Sequence, residues 1–119
     1  MKYVLLLCDT EETTGRSEAE VAPYYGQIAT WWKEQMDAGR LIGGEQLQAP
    51  ATATTVRHTK NGPLITDGPF IEAKETVGGY AVVDVPDLDA AMDMAKSWPW
   101  GGTVEIRPII EMNGSMGQQ

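Results

Sequence analysis

Two runs of the chain, residues 3–8 and 79–85, are almost uninterruptedly apolar and have the length of a strand. The first reads Y-V-L-L-L-C and the second reads G-Y-A-V-V-D-V. Successive side chains of a strand point to opposite faces of its sheet, so each run carries apolar side chains on both faces. An antiparallel sheet with one face in water alternates apolar and polar residues, and these runs do not. We therefore expect both faces of the sheet to be covered.

The segment between the two runs predicts a helix, a strand and a hairpin. Ser17 is followed three residues later by Glu20, a capping-box pattern that marks the start of the helix. Spacings of three and four residues predict one apolar stripe along this helix, formed by Tyr25, Ile28, Trp32 and Met36. A strand at 41–47 follows, and the Asn61-Gly62 pair indicates a tight hairpin turn.

Pro86 and Asp87 open a second predicted helix, and residues 103–110 predict a last strand with alternating apolar and charged side chains. The resulting order, β-α-β-β-α-β with a hairpin inserted after the second strand, is that of a ferredoxin-like α+β fold. The helices of this fold cover one face of its sheet. A second copy of the chain is the simplest cover for the other face, so we expect a homodimer.

The length of 119 residues favours a single domain, which we place at 1–110, with a flexible C-terminal tail at 111–119. With 9 basic and 17 acidic residues the net charge is −8, which repels nucleic acid and anionic lipid, so neither is expected as a partner. Cys8 is the single cysteine, which excludes an intrachain disulfide and fits a reducing compartment. The first apolar run is too short for a secretion signal or a membrane span, so we expect a cytoplasmic protein.

Residues 66–75 read T-D-G-P-F-I-E-A-K-E, the most specific string in the chain. Other matching segments are G-G-E at 43–45, A-T-A-T-T-V-R at 51–57, G-G-Y-A-V-V-D-V at 78–85, D-L-D-A-A at 87–91 and V-E-I-R-P-I at 104–109. Together, and in this order, they resemble the YCII-related family, specifically its DGPF-domain branch. The resemblance implies a ferredoxin-like dimer that forms an α+β barrel, in a family whose biochemical role is largely undefined. Some relatives are encoded with or fused to extracytoplasmic-function sigma factors, and others with this fold are lactone isomerases or dehydrochlorinases.

The D-G-P-F segment has two interpretations. The side chain of Asp67 can accept hydrogen bonds from nearby backbone amides, and Pro69 restricts φ, so the segment predicts a preorganised turn. In the structural interpretation the turn only sets the direction of the next strand. In the functional interpretation it places a group of side chains at the mouth of a pocket: Asp67, Phe70, Glu72, Lys74 and Glu75. Turn propensity explains Asp67-Gly68-Pro69, but it does not explain Lys74 and Glu75.

Arg57 lies on a predicted strand, where its guanidinium group could hold a ligand carboxylate with two hydrogen bonds. An exposed salt bridge to Glu45 is the competing interpretation. The resemblance implies acid–base chemistry by a His–Asp pair, but the first helix of this chain has no histidine, and His58 falls in the hairpin. Asp67 and Tyr25 are therefore the candidate catalytic residues, although a tyrosine with an ordinary pKa near 10 is a weak base at neutral pH.

One histidine and one cysteine are too few ligands for a zinc site, and the chain has no glycine-rich phosphate-binding motif, so no metal and no cofactor are expected. A magnesium or calcium site built from carboxylates alone stays open as the alternative. Three functions stay open. The favoured one is a protein that binds a small polar or aromatic metabolite in a pocket of the dimer. The alternatives are a cofactor-free enzyme of the isomerase or lyase type and an interaction or regulatory module associated with a sigma factor.

Overall fold

The computed structural model of the chain describes residues 1–69 and 75–112. In chain order its strands are β1 (Lys2–Asp9), β2 (Leu41–Gln46), β3 (Thr54–Thr59), β4 (Gly62–Asp67), β5 (Thr76–Asp84) and β6 (Thr103–Pro108). Its α-helices are α1 (Glu11–Thr14), α2 (Glu18–Asp37) and α3 (Leu88–Lys96), and a short 3-10 turn spans Pro50–Thr52. None of the helices in the described part of the chain is long and apolar enough to cross a membrane.

The main sheet has four strands in the order β2-β5-β1-β6, and every neighbouring pair is antiparallel. The predicted α+β class is confirmed, and this strand order is that of a ferredoxin-like fold. The two apolar runs form β1 and β5, the central strands. Strands β3 and β4 pair antiparallel with each other, from Thr54 opposite Asp67 to Thr59 opposite Gly62, and form a separate two-stranded sheet that we call the ribbon.

The predicted capping box starts α2. The hydroxyl of Ser17 accepts a hydrogen bond from the Glu20 amide at 3.2 Å, and the Glu20 carboxylate accepts one from the Ser17 amide at 3.1 Å. The bond from the backbone of Ser17 lowers the pKa of Glu20, because it stabilises the charged form of the carboxyl group. The helix then continues through Pro23 to Asp37.

The buried stripe of α2 differs from the predicted one. Trp31 is 5% exposed and belongs to the core, whereas Tyr25 and Met36 are 63% and 61% exposed. Two contacts at the end of α3 explain the difference. The indole N–H of Trp31 donates to the hydroxyl of Ser97 at 2.8 Å, and its ring packs edge-on against Trp98 with 5.0 Å between centroids. Adjacent tryptophans supply two possible stripes, and these contacts select the one through Trp31.

The two faces of the main sheet differ in burial. On the face that carries the helices, the central strands contribute the buried side chains Tyr3, Leu5, Leu7, Ala81 and Val83. On the other face, Val4, Leu6, Tyr80 and Val82 are only half-buried. The chain measures 48 × 45 × 19 Å. A thickness of 19 Å corresponds to one helix layer on one sheet, because each layer is roughly 10 Å thick. We call the second side, with its half-buried apolar side chains, the open face.

Gly44 in β2 lies against the backbone of β5 and close to the ring of Trp32 on α2. Its φ is 152°, and a Cβ atom there would overlap the carbonyl oxygen of Tyr80 and lie 3.0 Å from the ring of Trp32. At the adjacent Gly43 a Cβ atom would have no neighbour within 4 Å. Only glycine therefore fits at position 44, whereas position 43 has room for a methyl group.

We expect Gly44→Ala to lower the free energy of unfolding by about 2–3 kcal/mol, because it adds both a steric overlap and backbone strain. Gly43→Ala is the matched control and should leave that free energy unchanged or raise it slightly. Urea denaturation followed by circular dichroism measures both. Equal losses in the two variants would contradict the described path of β2.

Candidate functional site

A cavity of about 130 Å³ lies between α2 and the helix-covered face of the sheet. Its walls are mainly apolar and include Trp32, Trp98, Trp100, Leu7, Val21 and Ile28. The polar groups that line it are Asp9 at the end of β1, Tyr25 on α2 and Gln46 at the end of β2. A small apolar cavity with a few polar groups on its wall is the usual form of a small-molecule site.

An irregularity in the pairing of β1 with β5 makes room for Asp9. Leu7 pairs with Gly79, but Cys8 pairs with Val77, so Gly78 is left without a partner at this point. A Cβ atom on Gly78 would overlap the Asp9 carboxylate. Because glycine stands there, the carboxylate occupies the space that a side chain of β5 would fill, at the edge of the cavity.

One oxygen of this carboxylate is held mainly by Trp100. The indole N–H of Trp100 donates to Oδ1 of Asp9 at 2.7 Å. The hydroxyl of Thr13 lies 3.3 Å from the same atom and 3.1 Å from the carbonyl oxygen of Thr10, and it donates its one proton to either of them. Thr13 is buried, and it also completes the capping box of α1 with Thr10. Within the described part of the chain the second oxygen, Oδ2, accepts no hydrogen bond. The site therefore holds an oriented carboxylate whose Oδ2 atom lies beside Gly78 and has no hydrogen-bond donor among the described residues.

Arg16, in the turn between α1 and α2, contacts Trp100 and holds it in position. Its guanidinium carbon lies 4.6 Å from the centre of the Trp100 ring and 4.4 Å from that of Tyr24. Its Nη1 atom also donates to the carbonyl oxygen of Trp100 at 2.8 Å. The rings of Tyr24 and Trp100 meet edge-on at 5.2 Å. Cation–π contacts and a hydrogen bond thus hold the residue that orients Asp9.

Of the residues predicted from sequence, Tyr25 lines the cavity, and its high exposure places it at the mouth. Asp67 and Arg57 are exposed on the ribbon and do not line this cavity. Glu75 precedes β5 and accepts a hydrogen bond from the Thr103 hydroxyl at 2.7 Å. The structure therefore does not bring these residues together with Tyr25. Three predicted ligand-binding residues lie outside the described part of the chain: Phe70, Glu72 and Lys74.

The sequence analysis missed Asp9, Arg16 and Trp100 as site residues. One signal for Asp9 was present, because it is the first charged residue after the apolar run of β1. A signal for Trp100 was its position between Pro99 and Gly101, where a large aromatic ring has no role in a helix or strand. The described residues contain no cluster of three or more side chains able to hold a metal ion.

Cys8, next to Asp9 in β1, points to the open face. Burial raises the pKa of its thiol, and the nearby carboxylates of Glu105, Glu75 and Asp9 raise it further. A raised pKa keeps the thiol protonated and unreactive at neutral pH. Cys8 therefore behaves as part of the half-buried apolar surface and not as a nucleophile.

We expect Arg16→Gln to lower the free energy of unfolding by about 1–2 kcal/mol, because it removes two cation–π contacts and the hydrogen bond to the Trp100 carbonyl. Lys33→Gln is the matched control. It removes the same charge from an exposed ion pair with Asp37, 2.8 Å long, and should cost less than about 0.5 kcal/mol. Urea denaturation of the variants measures the difference, and equal costs would contradict the role assigned to Arg16.

Two comparisons place the chain among known proteins. The family model of the YCII-related domain matches residues 1–113. An uncharacterized protein of Rhizobium meliloti (strain 1021) is 30% identical over 114 residues, which cover 92% of this chain and 92% of the relative. The family match spans the main sheet, the ribbon, the helices and the cavity. This chain is therefore a member of the YCII-related family.

Proposed function

We propose that this YCII-related protein binds a small molecule with an aromatic ring in the cavity between α2 and the main sheet. The observation that carries the proposal is the wall of three tryptophans, Trp32, Trp98 and Trp100, around a volume of about 130 Å³. This volume is close to the roughly 150 Å³ at which an apolar protein cavity takes up benzene. The favoured ligand is thus a single ring with few substituents.

Edge-on contacts between the rings build the tryptophan wall. Trp32 and Trp98 meet edge-on at 6.2 Å between centroids, and Trp31 packs against them at 5.3 Å and 5.0 Å. These edge-on contacts and the hydrogen bond from Trp31 to Ser97 restrict the rings. A preformed aromatic wall favours binding, because few side chains lose freedom when the ligand enters.

A cofactor-free isomerase or lyase is the second candidate. It is favoured by one observation, the placement of Asp9 and Tyr25 on the wall of one cavity. A carboxylate and a phenol can remove a proton from one carbon of a bound molecule and deliver one to another. Turnover of a bound ligand that is lost in Asp9→Asn and in Tyr25→Phe would support the enzyme. Binding without turnover supports the binding protein.

The open face supports a homodimer. Its half-buried side chains Val4, Leu6, Tyr80 and Val82 form a continuous apolar strip across the two central strands. We propose that a second copy covers this strip and that the two sheets form an α+β barrel, with the ribbon inserted as a hairpin beside it. Assignment to the DGPF-domain branch, a cytoplasmic location and ligand roles for Asp67, Arg57 and Glu75 remain predictions from the sequence.

For the binding proposal, we expect phenol or toluene to raise the melting temperature saturably and to quench tryptophan fluorescence, because either ring enters the cavity and stabilises the folded state. Val21→Phe fills the cavity and should abolish both effects. Val56→Phe is the matched control, since it makes the same change on the exposed ribbon. If neither ring binds, or if Val21→Phe binds as well as Val56→Phe, the proposed site is wrong.

For the dimer, we expect sedimentation velocity to give twice the mass of one chain, and Val82→Glu to give a single-chain mass, because a charge in the covered strip loses its hydration. Met36→Glu, on the exposed side of α2, is the control and should remain a dimer. Alkylation of Cys8, measured at alkaline pH where the thiol ionises, should speed up on dilution, since dissociation uncovers the open face. A wild-type protein that sediments as a single chain at all concentrations would contradict the dimer.

A further inference from the structure

We infer that Asp9 makes the cavity selective for rings that carry an N–H or O–H donor, such as phenols and benzylic amines, over unsubstituted rings and over ring carboxylates. The inference rests on the proposed function, because it specifies which aromatic molecules that cavity accepts. It depends on the hydrogen bonds that the two Asp9 oxygens accept and on the charges of the side chains that line the cavity.

The two oxygens of Asp9 differ in their hydrogen bonds. Trp100 donates to Oδ1, and the Thr13 hydroxyl donates its one proton either to Oδ1 or to the carbonyl oxygen of Thr10. A carboxylate can accept about four hydrogen bonds, two at each oxygen, so Oδ2 keeps acceptor capacity after these bonds are made. Asp9 lines the cavity, and the described residues supply no donor to Oδ2. A bound ring with an O–H or N–H group supplies the missing donor.

The carboxylate cannot readily turn away from the cavity. Its backbone is held in β1, where Asp9 pairs with Thr76 of β5. Its Oδ1 atom is held by Trp100, whose ring and carbonyl are in turn held by Arg16. The missing side chain of Gly78 leaves the space that the carboxylate fills. Asp9 therefore presents a fixed acceptor, which discriminates among ligands better than a mobile one.

The charges on the wall disfavour a carboxylate ligand. Among the described residues that line the cavity, Asp9 is the one charged side chain, and no lysine, arginine or histidine lines it. Arg16 contacts Trp100 from outside the cavity lining, and Arg57 lies on the ribbon. Tyr25 and Gln46 are neutral donors on exposed side chains near the mouth. A second carboxylate inside would meet a like charge without a counter-charge, which is costly in an apolar site.

Four single-ring probes of similar size separate these expectations: phenol, benzylamine, toluene and benzoate. We expect phenol and benzylamine to bind the wild-type protein at least tenfold more tightly than toluene by calorimetric titration, because a hydrogen bond to a charged group is the stronger kind. Benzoate should bind at least tenfold more weakly than phenol. All four titrations use the full chain at the same salt concentration.

The variant Asp9→Asn tests the residue itself. Asparagine has the same size and still offers an oxygen that can accept the hydrogen bond from the Trp100 indole, but it carries no charge. We expect benzylamine affinity to fall at least tenfold and toluene affinity to change less than threefold. Glu34→Gln, on the exposed side of α2, removes one negative charge elsewhere and should leave all four affinities unchanged. Melting temperatures of both variants check that each is folded.

The outcomes distinguish this inference from the proposed function. If phenol, toluene and benzoate bind equally, or if benzoate binds most tightly, the inferred selectivity is wrong, but the proposed aromatic binding site is still supported. Selectivity that persists in Asp9→Asn would overturn the role of Asp9. If no ring binds, the proposed function fails and the inference fails with it.

Discussion

The antiparallel pairing of β1 with β5 is the interaction on which the rest of this structure depends. It brings the two apolar runs side by side at the centre of the sheet, so that alternate side chains build the core under the helices and the others form the open face. The same pairing also creates the candidate site. Its irregularity between Leu7 and Cys8 leaves Gly78 unpaired and gives the Asp9 carboxylate its place. Core, proposed dimer face and cavity thus follow from one strand pair.

Three separate parts of the chain hold the Asp9 carboxylate in place. Asp9 ends β1, Arg16 lies before α2, and Trp100 follows α3. The indole N–H and the carbonyl of Trp100 connect them, since the first donates to Asp9 and the second accepts from Arg16. An aromatic ring at position 100 thus serves both as wall and as hydrogen-bonding link. This arrangement explains how a small chain can hold a carboxylate at the edge of an apolar cavity.

Local sequence patterns predicted the elements well and their relative placement less well. The Ser17–Glu20 capping box, the two central strands and the α+β class could be predicted because they depend on neighbours in the chain. The buried side of α2 could not, because Trp31 and Trp32 are adjacent and only contacts with α3 choose between them. At the candidate site, the predicted residue Tyr25 lies on the cavity wall. Asp9 was not predicted, since its environment comes from residues about 70 and 91 positions away.

The sequence by itself determined the fold class, the central strands and the presence of a second apolar face. The reason is that successive side chains of a strand point to opposite faces of the sheet, so the sequence shows which side chains share a face. It also carried the resemblance to the family that the comparisons established. Only the tertiary structure decided which polar side chains meet. The position of the ribbon keeps Asp67 and Arg57 away from the cavity that Tyr25 lines. The positions of the loops bring together Asp9, Arg16 and Trp100. Those positions result from long-range packing, which no local pattern encodes.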